Sequence, residues 1–318
     1  MLLLLGLLPV AAPAVNPGKF PDNATVVSSC GPIRGHLHRD GILAFKGIPY
    51  AKPPKEELRW RPPEPATCWN GTLEAANFSS PCAQSGGESG SEDCLYLNVY
   101  RTTPGASEGL LPVLFYIHGG SLIVGDGRLD FSNFMLHGCE NGCITVVIQY
   151  RLDMFGWLAN EPLSAEQGGV SGNYGLLDQQ MALSWVQREI AAFGGDKRRV
   201  TVAGQSSGGT SIIALLASPA SRGLFSRAIS LSGSPNVTMD LPAAEQQNAQ
   251  ITVAGCPSAH DAPTTWLACM RNASTALVLG ARPGCWATPK MDVLPTSTAG
   301  WRKRSGQLLD LAKGQCEY

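Results

Sequence analysis

The sequence lacks a strong charge of either sign, a long apolar run and the cysteine spacing of a metal site. Its 318 residues include 24 Lys and Arg against 25 Asp and Glu, which gives a net charge of -1. A chain so close to neutral has no electrostatic attraction for nucleic acid or for an anionic membrane. No stretch is long and apolar enough to cross a bilayer, and no C-x-x-C pair occurs. We therefore expect no nucleic acid partner, no transmembrane segment, no metal and no organic cofactor.

The composition is that of a globular protein with a sizeable core. Hydrophobic residues make up 44% of the chain and charged residues 15%, without an internal repeat or a low-complexity tract. From residue 95 onward, apolar segments of strand length alternate with helical stretches, at 95–100, 113–117, 144–149, 200–203 and 228–231. This alternation predicts a largely parallel sheet covered by helices on both faces, in a single α/β unit.

Two local patterns add to this prediction. Residues 26–49 hold short β-rich pieces broken by glycines, which indicates a small hairpin sheet at the amino end. Residues 176–190 can form a helix in which Leu177, Met181 and Trp185 recur at four-residue spacing. We expect these three side chains to face the core.

The amino end and the cysteines indicate the secretory pathway. Residues 1–11 are almost entirely apolar and are followed by Ala12-Pro13-Ala14, a small-residue pattern suited to signal cleavage. We expect a signal peptide at 1–14 and the folded domain at 15–318. Ten cysteines without metal-binding spacing predict disulfide bonds. Five N-x-S/T sequons support a secreted glycoprotein, at Asn23, Asn70, Asn77, Asn236 and Asn272.

A G-x-S-x-G sequence supplies a candidate nucleophile. Gly204-Gln205-Ser206-Ser207-Gly208 follows the apolar run 199–203 and precedes the helical stretch 211–217. Between strand and helix, this pattern is typical of the strained turn that presents a catalytic serine. We expect Ser206 to be the nucleophile.

A second motif lies upstream and predicts an oxyanion hole. The apolar run 112–117 ends in His118-Gly119-Gly120-Ser121, the position of an HGGG-type loop. Glycines allow the backbone to approach a substrate closely, so that its amides can bind the oxygen of a tetrahedral intermediate. Ser121 stands in place of the third glycine, and its amide stays available.

Further motifs carry a family resemblance. The block Glu92-Asp93-Cys94-Leu95-Tyr96-Leu97-Asn98 is highly specific, and other matches follow in family order at 45–51, 58–63, 150–152, 172–179 and 232–236. From about residue 30 to about 306, the chain resembles the type-B carboxylesterases, the family that also holds the cholinesterases and neuroligins. The resemblance implies an α/β-hydrolase fold, with a mostly parallel central sheet and helices on both faces, incomplete at the carboxyl end.

The resemblance also implies a reaction. Ser206 would attack a small-molecule ester, the amides of Gly120, Ser121 and Ser207 would hold the oxyanion, and water would release the acyl group. The loop 82–94 contains no aromatic residue to hold a choline cation, which disfavours a cholinesterase. Implied disulfide bonds join Cys82 to Cys94 and Cys256 to Cys269, while Cys30 with Cys68 and Cys139 with Cys143 are assigned from what remains.

The other two members of a serine triad are not found. In this fold the acid and the histidine follow the nucleophile, yet four of the five histidines precede Ser206, at His36, His38, His118 and His137. His260 follows it but lies in a region resembling a disulfide loop, and Glu317 lacks a preceding apolar strand.

Three interpretations stay open. The chain is an incomplete copy of a secreted ester hydrolase, a non-catalytic binding or adhesion member like the neuroligins, or an inactive short form. Retention of Ser206 favours the first, because a binding protein has no need of a strained serine turn. Ser121 favours the second, because His-Gly-Gly-Ser also occurs in neuroligins.

Overall fold

The computed structural model describes residues 24–39, 41–86, 90–103, 109–235 and 239–282. The expected signal peptide at 1–14 lies outside the described residues, as do Asn23, Asn236 and Glu317 and the two cysteines for which the sequence suggests no partner, Cys285 and Cys316.

Strands and short helices alternate along this part of the chain. The strands are β1 Thr25–Ser28, β2 Gly31–Arg34, β3 His36–Arg39, β4 Ile42–Pro49, β5 Leu73–Glu74, β6 Tyr96–Thr102, β7 Leu111–Ile117, β8 Ile144–Ile148, β9 Gly195–Gln205 and β10 Arg227–Leu231. The α-helices are α1 Ser132–Gly138, α2 Asp153–Trp157, α3 Glu161–Glu166, α4 Tyr174–Glu189, α5 Ser207–Ala217, α6 Leu241–Asn248, α7 Pro263–Asn272 and α8 Thr275–Gly280. Single 3-10 turns lie at Glu56–Leu58, Ile190–Phe193 and Pro219–Ser221.

Seven strands form the main sheet, in the order β10-β9-β7-β8-β6-β4-β3. From β10 to β8 neighbouring strands are parallel, and Val113 of β7 lies opposite Ile144 of β8 and Val200 of β9. From β8 to β3 neighbouring strands are antiparallel. Among the described residues the sheet is therefore mixed rather than mostly parallel, and its parallel half includes the strands that lead into the candidate site.

The central strand β8 shows why the sheet forms here. Its sequence Ile-Thr-Val-Val-Ile is β-branched throughout, which suits extended backbone, and all five residues are buried. Side chains alternate between two apolar clusters: Val146 joins the larger one, and Val147 packs with Met135 of α1 in the smaller one. Helices and loops thus cover both faces, as expected for parallel strands.

The amino-terminal segment differs from the prediction of one hairpin sheet. Strands β1, β2 and β5 form a separate three-stranded sheet, while β3 and β4 extend the main sheet beside β6. The apolar character of β4 explains this, because Leu43 and Phe45 enter the larger core while Ile42 and Ala44 enter the smaller one. A strand buried on both faces belongs inside a large sheet.

Helix α4 lies where the sequence predicts a helix, but the predicted core stripe is only partly right. Trp185 is buried, whereas Leu177 and Met181 are only partly buried. Because α4 packs against α2 and α5 as well as the core, polar residues such as Gln179 are buried too. The burial of this helix therefore does not follow a single apolar face.

Two buried ion pairs join distant segments. Arg59 binds Glu92 at 2.6 Å and also donates to the carbonyl of Met270 at 2.7 Å. Arg151 binds Asp178 of α4 at 2.7 Å, and both side chains are almost fully buried. Arg59 thus links the segment of Glu92 to helix α7, and the second pair links the residues after β8 to α4.

Four cysteine pairs lie at disulfide distance, and they are the pairs given in the sequence analysis: Cys30–Cys68, Cys82–Cys94, Cys139–Cys143 and Cys256–Cys269. None of the helices in the described ranges has the length and apolar character needed to span a membrane.

Candidate active site

Ser206 occupies a strained turn between β9 and α5. Its φ of 56° and ψ of -124° lie in a region that residues with a Cβ rarely adopt. The Ser206 amide donates to the carbonyl of Leu231 in the neighbouring strand β10 at 2.8 Å, which holds the turn in place. The side chain is partly exposed, at the amino end of a helix whose dipole favours negative charge. This is the strand-turn-helix context that the sequence predicts.

The two glycines that flank Ser206 are required by close backbone contacts. A Cβ on Gly204 would lie 2.5 Å from the backbone of Gly208, and a Cβ on Gly208 would lie 2.2 Å from the carbonyl oxygen of Ile117. Helix α5 therefore crosses the end of β7 without room for a side chain. The spacing of the G-x-S-x-G sequence follows from these contacts.

The loop after β7 lies directly against Ser206. A Cβ on Gly119 would be 3.2 Å from the Cβ of Ser206 and 2.6 Å from the carbonyl oxygen of Gln205. Gly120 and Ser121 both have positive φ, at 112° and 58°. Within the described ranges, neither of their amides donates to a protein acceptor. Unpaired amides beside a partly exposed serine are what oxyanion binding requires.

Ser207 connects the turn to this loop, a contact that local sequence patterns do not reveal. Its Oγ accepts a hydrogen bond from the amide of Leu122 at 3.2 Å. The carbonyl of Leu122 in turn accepts from the amide of Asp153 at 2.8 Å. The loop is therefore bound on one side by the turn that carries Ser206 and on the other by α2.

His118 is buried under the loop rather than beside Ser206. Its Nδ1 lies 2.8 Å from the carbonyl oxygen of Gly119, so Nδ1 carries the proton. Its ring stacks on Tyr150 at 4.4 Å, and the Tyr150 hydroxyl donates to the His118 carbonyl at 2.8 Å. Burial lowers the pKa of His118 to about 4. His118 is thus a neutral residue that holds the loop from below.

The remaining histidines lie away from Ser206. His36 and His38 are in β3, His137 is in α1, and His260 is exposed with its Nδ1 3.1 Å from Asp261. No histidine forms a hydrogen bond with Ser206 Oγ among the residues that the structure describes.

Buried amide side chains fix the far end of the loop. Gly127 donates its amide to Gln149 Oε1 at 3.0 Å and receives the Asn98 amide on its carbonyl at 2.9 Å. Local sequence patterns assign no role to Asn98 or Gln149, because the partner of both is the backbone of Gly127, more than 20 residues away. In the described part of the chain, no cluster of three or more His, Cys, Asp or Glu side chains could hold a metal ion.

Comparisons with known proteins show which family the chain resembles. The model of the Carboxylesterase family matches residues 22–299. The chain is 40% identical over 239 residues to the para-nitrobenzyl esterase of Bacillus subtilis, which covers 72% of this chain and 48% of that protein. It is 41% identical over 209 residues to the human cocaine esterase, covering 61% of this chain and 36% of that protein.

Solved structures show the same architecture. A para-nitrobenzyl esterase structure superposes with a TM-score of 0.71 at 39% identity, covering 81% of this chain and 52% of that one. A carboxylesterase of Geobacillus stearothermophilus gives a TM-score of 0.70 at 36% identity, covering 81% and 52%. These matches confirm the predicted α/β-hydrolase fold. The chain spans about half the length, or less, of the curated relatives it matches.

Proposed function

This chain belongs to the carboxylesterase family, and from that premise we propose that it serves the hydrolysis of carboxylic esters through Ser206. The observation that carries the proposal is the strained turn of Ser206, with φ of 56°, packed against the loop of Gly119, Gly120 and Ser121. A backbone conformation this unfavourable persists only where surrounding contacts enforce it, and such positions cluster at active sites.

The proposed reaction is a two-step acyl transfer. Ser206 Oγ attacks the ester carbonyl carbon and gives its proton to a general base, while the carbonyl oxygen becomes an oxyanion. The amides of Gly120, Ser121 and Ser207 donate to that oxyanion, and each such donor contributes about 3 kcal/mol to the barrier reduction. The alcohol leaves with a proton, and water then attacks the acyl-enzyme to release the acid and regenerate Ser206.

We assign none of the five histidines of this chain as the general base. His118 is neutral but directs Nδ1 to Gly119, and the other four histidines form no hydrogen bond with Ser206 within the described residues. We assign the acid to no residue of this chain either. The proposed activity therefore concerns a protein that also has the further length present in its relatives. The match to the para-nitrobenzyl esterase covers 48% of that protein.

A second candidate is a non-catalytic binding role. The observation that favours it is that, in the described part of the chain, no histidine forms a hydrogen bond with Ser206. In that case the strained turn would be retained without use, although no binding function requires it. Labelling of the serine distinguishes the two candidates.

Small, uncharged aryl or alkyl esters are the proposed substrates. The loop 82–94 has no aromatic residue for a quaternary ammonium group. Gln205, exposed beside Ser206, is neutral and adds no attraction for a cation. A para-nitrobenzyl ester, after the name of the bacterial relative, is a suitable first substrate.

We also assign the chain to the secretory pathway, with a signal peptide at 1–14 and the amino-terminal part of a hydrolase domain at 15–318. Four disulfide pairs support an oxidising compartment. Three sequon asparagines are exposed and so accessible to glycosylation, at Asn70, Asn77 and Asn272.

A fluorophosphonate probe tests the proposal on the purified chain and on a longer form that restores the length of its relatives. We expect the longer form to be labelled and Ser206→Ala to abolish labelling, with hydrolysis of the para-nitrobenzyl ester lost in parallel. Ser211→Ala is the matched control, because Ser211 is a buried serine of the same helix. A longer, folded form that is neither labelled nor active would overturn the ester hydrolase and leave the binding role.

A further inference from the structure

Gln84 connects the disulfide loop to the loop that faces Ser206. Its Oε1 accepts from the amide of Gly125 at 2.9 Å, and its Nε2 donates to the carbonyl of Gly125 at 3.0 Å. Nε2 also donates to the carbonyl of Cys82 at 2.9 Å. The side chain is only 7% exposed. One carboxamide thus pairs with both polar backbone groups of Gly125.

Gly125 lies directly behind the amides of the candidate oxyanion hole. A Cβ on Gly125 would be 2.5 Å from the carbonyl oxygen of Gly119 and 2.6 Å from Nδ1 of His118. Next to it, the amides of Ile123 and Val124 both donate to the carbonyl of Gly120 at 3.0 Å. A shift of Gly125 would therefore move Gly119 and Gly120 relative to Ser206.

The chemistry of this contact requires a carboxamide of this length. Gly125 offers a donor and an acceptor side by side, and only a side chain with both groups can satisfy them at once. A buried backbone group left unpaired is costly, so the loop would move to find water or another partner. The backbone next to Gln84 is constrained by the Cys82–Cys94 disulfide, two residues before it.

We propose that Gln84 is a positioning residue for the oxyanion amides of Gly120 and Ser121, an inference that rests on the proposed ester hydrolase function. Gln84 does not touch the reacting atoms. It acts through Gly125, and it makes the disulfide loop a rigid support of the oxyanion hole.

The test compares Gln84→Met with Gln180→Met, both in the 318-residue chain and in the longer form that restores the length of its relatives. Both substitutions remove a buried carboxamide at similar volume, but Gln180 donates to Ser218 and Ser221, beyond the far end of α5. Two readouts are needed: the rate of fluorophosphonate labelling at Ser206, and hydrogen–deuterium exchange of peptides covering 118–127.

We expect Gln84→Met to lower the labelling rate by about 10- to 100-fold, because a displacement near 1 Å of a catalytic donor has an effect of that size. Exchange in 118–127 should rise in the same variant. Gln180→Met should leave both readouts at the wild-type level.

Gln84→Glu supplies a second test with a pH signature, should the Met variant fail to fold. Glutamate keeps the acceptor for Gly125, but it can donate only when protonated, and the two facing carbonyls disfavour its charge. Labelling of this variant relative to wild type should therefore recover as the pH falls from about 8 to 5. His118 stays neutral over this range because burial lowers its pKa to about 4.

The outcomes separate the two hypotheses. A longer, folded form of the wild type that is not labelled overturns the proposed function, and exchange in 118–127 still decides whether Gln84 holds the loop. A labelled wild type with unchanged labelling in Gln84→Met and no pH recovery in Gln84→Glu overturns the positioning role. Hydrogen–deuterium exchange of 118–127 that stays at the wild-type level in Gln84→Met also overturns the positioning role.

Discussion

Gly208 provides the sharpest test of how the candidate site is built. It lies in the first turn of α5 and has no positive φ, so alanine can adopt the same backbone conformation. Helix propensity alone predicts that Gly208→Ala would stabilise the fold by about 1 kcal/mol. The tertiary contacts predict the opposite.

A methyl group at this position would meet three backbone atoms at the end of β7. The added Cβ would lie 2.2 Å from the carbonyl oxygen of Ile117, 2.8 Å from that of His118 and 3.0 Å from the His118 carbonyl carbon. The shortest contact is too close by about 0.8 Å against the 3.0 Å that Cβ atoms keep. Backbone cannot rotate away as a side chain can, so α5 and the end of β7 must separate.

Overpacking of this kind costs about 1 to 3 kcal/mol, and backbone contacts lie at the upper end. After the gain from helix propensity, we expect a net loss of about 2 kcal/mol in the free energy of unfolding. The same movement carries Gly119 away from Ser206, so the labelling rate should fall by about 10- to 100-fold.

Gly280→Ala is the matched control, because Gly280 ends α8 and an added Cβ would meet nothing within 4 Å. Equilibrium urea unfolding of the two variants, followed by tryptophan fluorescence, gives both free energies. The reasoning is refuted if Gly208→Ala is as stable as Gly280→Ala, or if it is destabilised without any loss of labelling.

Two further predictions concern buried charge. Burial lowers the pKa of His118 from 6.5 to about 4, so the unfolded chain binds a proton that the folded chain rejects. His118 therefore costs up to about 3 kcal/mol of stability as the pH falls from 6.5 to 4, and His118→Gln should flatten that part of a urea unfolding series; an unchanged slope would contradict this. Glu92→Gln should cost about 3 to 5 kcal/mol, because it leaves Arg59 without its counter-ion at a site where both side chains are under 10% exposed. Glu64→Gln removes an exposed pair with Lys52 and should cost less than about 1 kcal/mol, and equal losses in the two variants would refute the role of burial.

Local sequence patterns were enough to predict the strained turn of Ser206 and the parallel strands. A strand buried on both faces needs apolar residues, and a turn that packs closely against another strand needs glycine. Both requirements therefore appear as patterns among neighbouring residues in the sequence. The structure has a strand before Ser206 and a helix after it, as predicted, but β9 at Gly195–Gln205 and α5 at Ser207–Ala217 are longer than the predicted runs 199–203 and 211–217. The roles of Ser206, Gly120, Ser121 and Ser207 stay predictions.

Contacts between residues far apart in the chain could not be predicted from such local patterns. Gln84 meets Gly125 across 41 residues, and Arg59 meets Met270 across 211. The place of β4 in the main sheet and the all-round burial of α4 likewise depend on which elements become neighbours.

The sequence alone thus predicted the five strands from residue 95 onward, the helix at 176–190 and the turn that carries the candidate serine, because those properties follow from steric and hydrophobic preferences within a few residues. Only the tertiary structure decided that His118 is buried with a lowered pKa, and that Gln84 of the disulfide loop pairs with the backbone of Gly125. Burial and hydrogen-bond partners are properties of the folded neighbourhood, which forms only when strands far apart in the chain pair side by side.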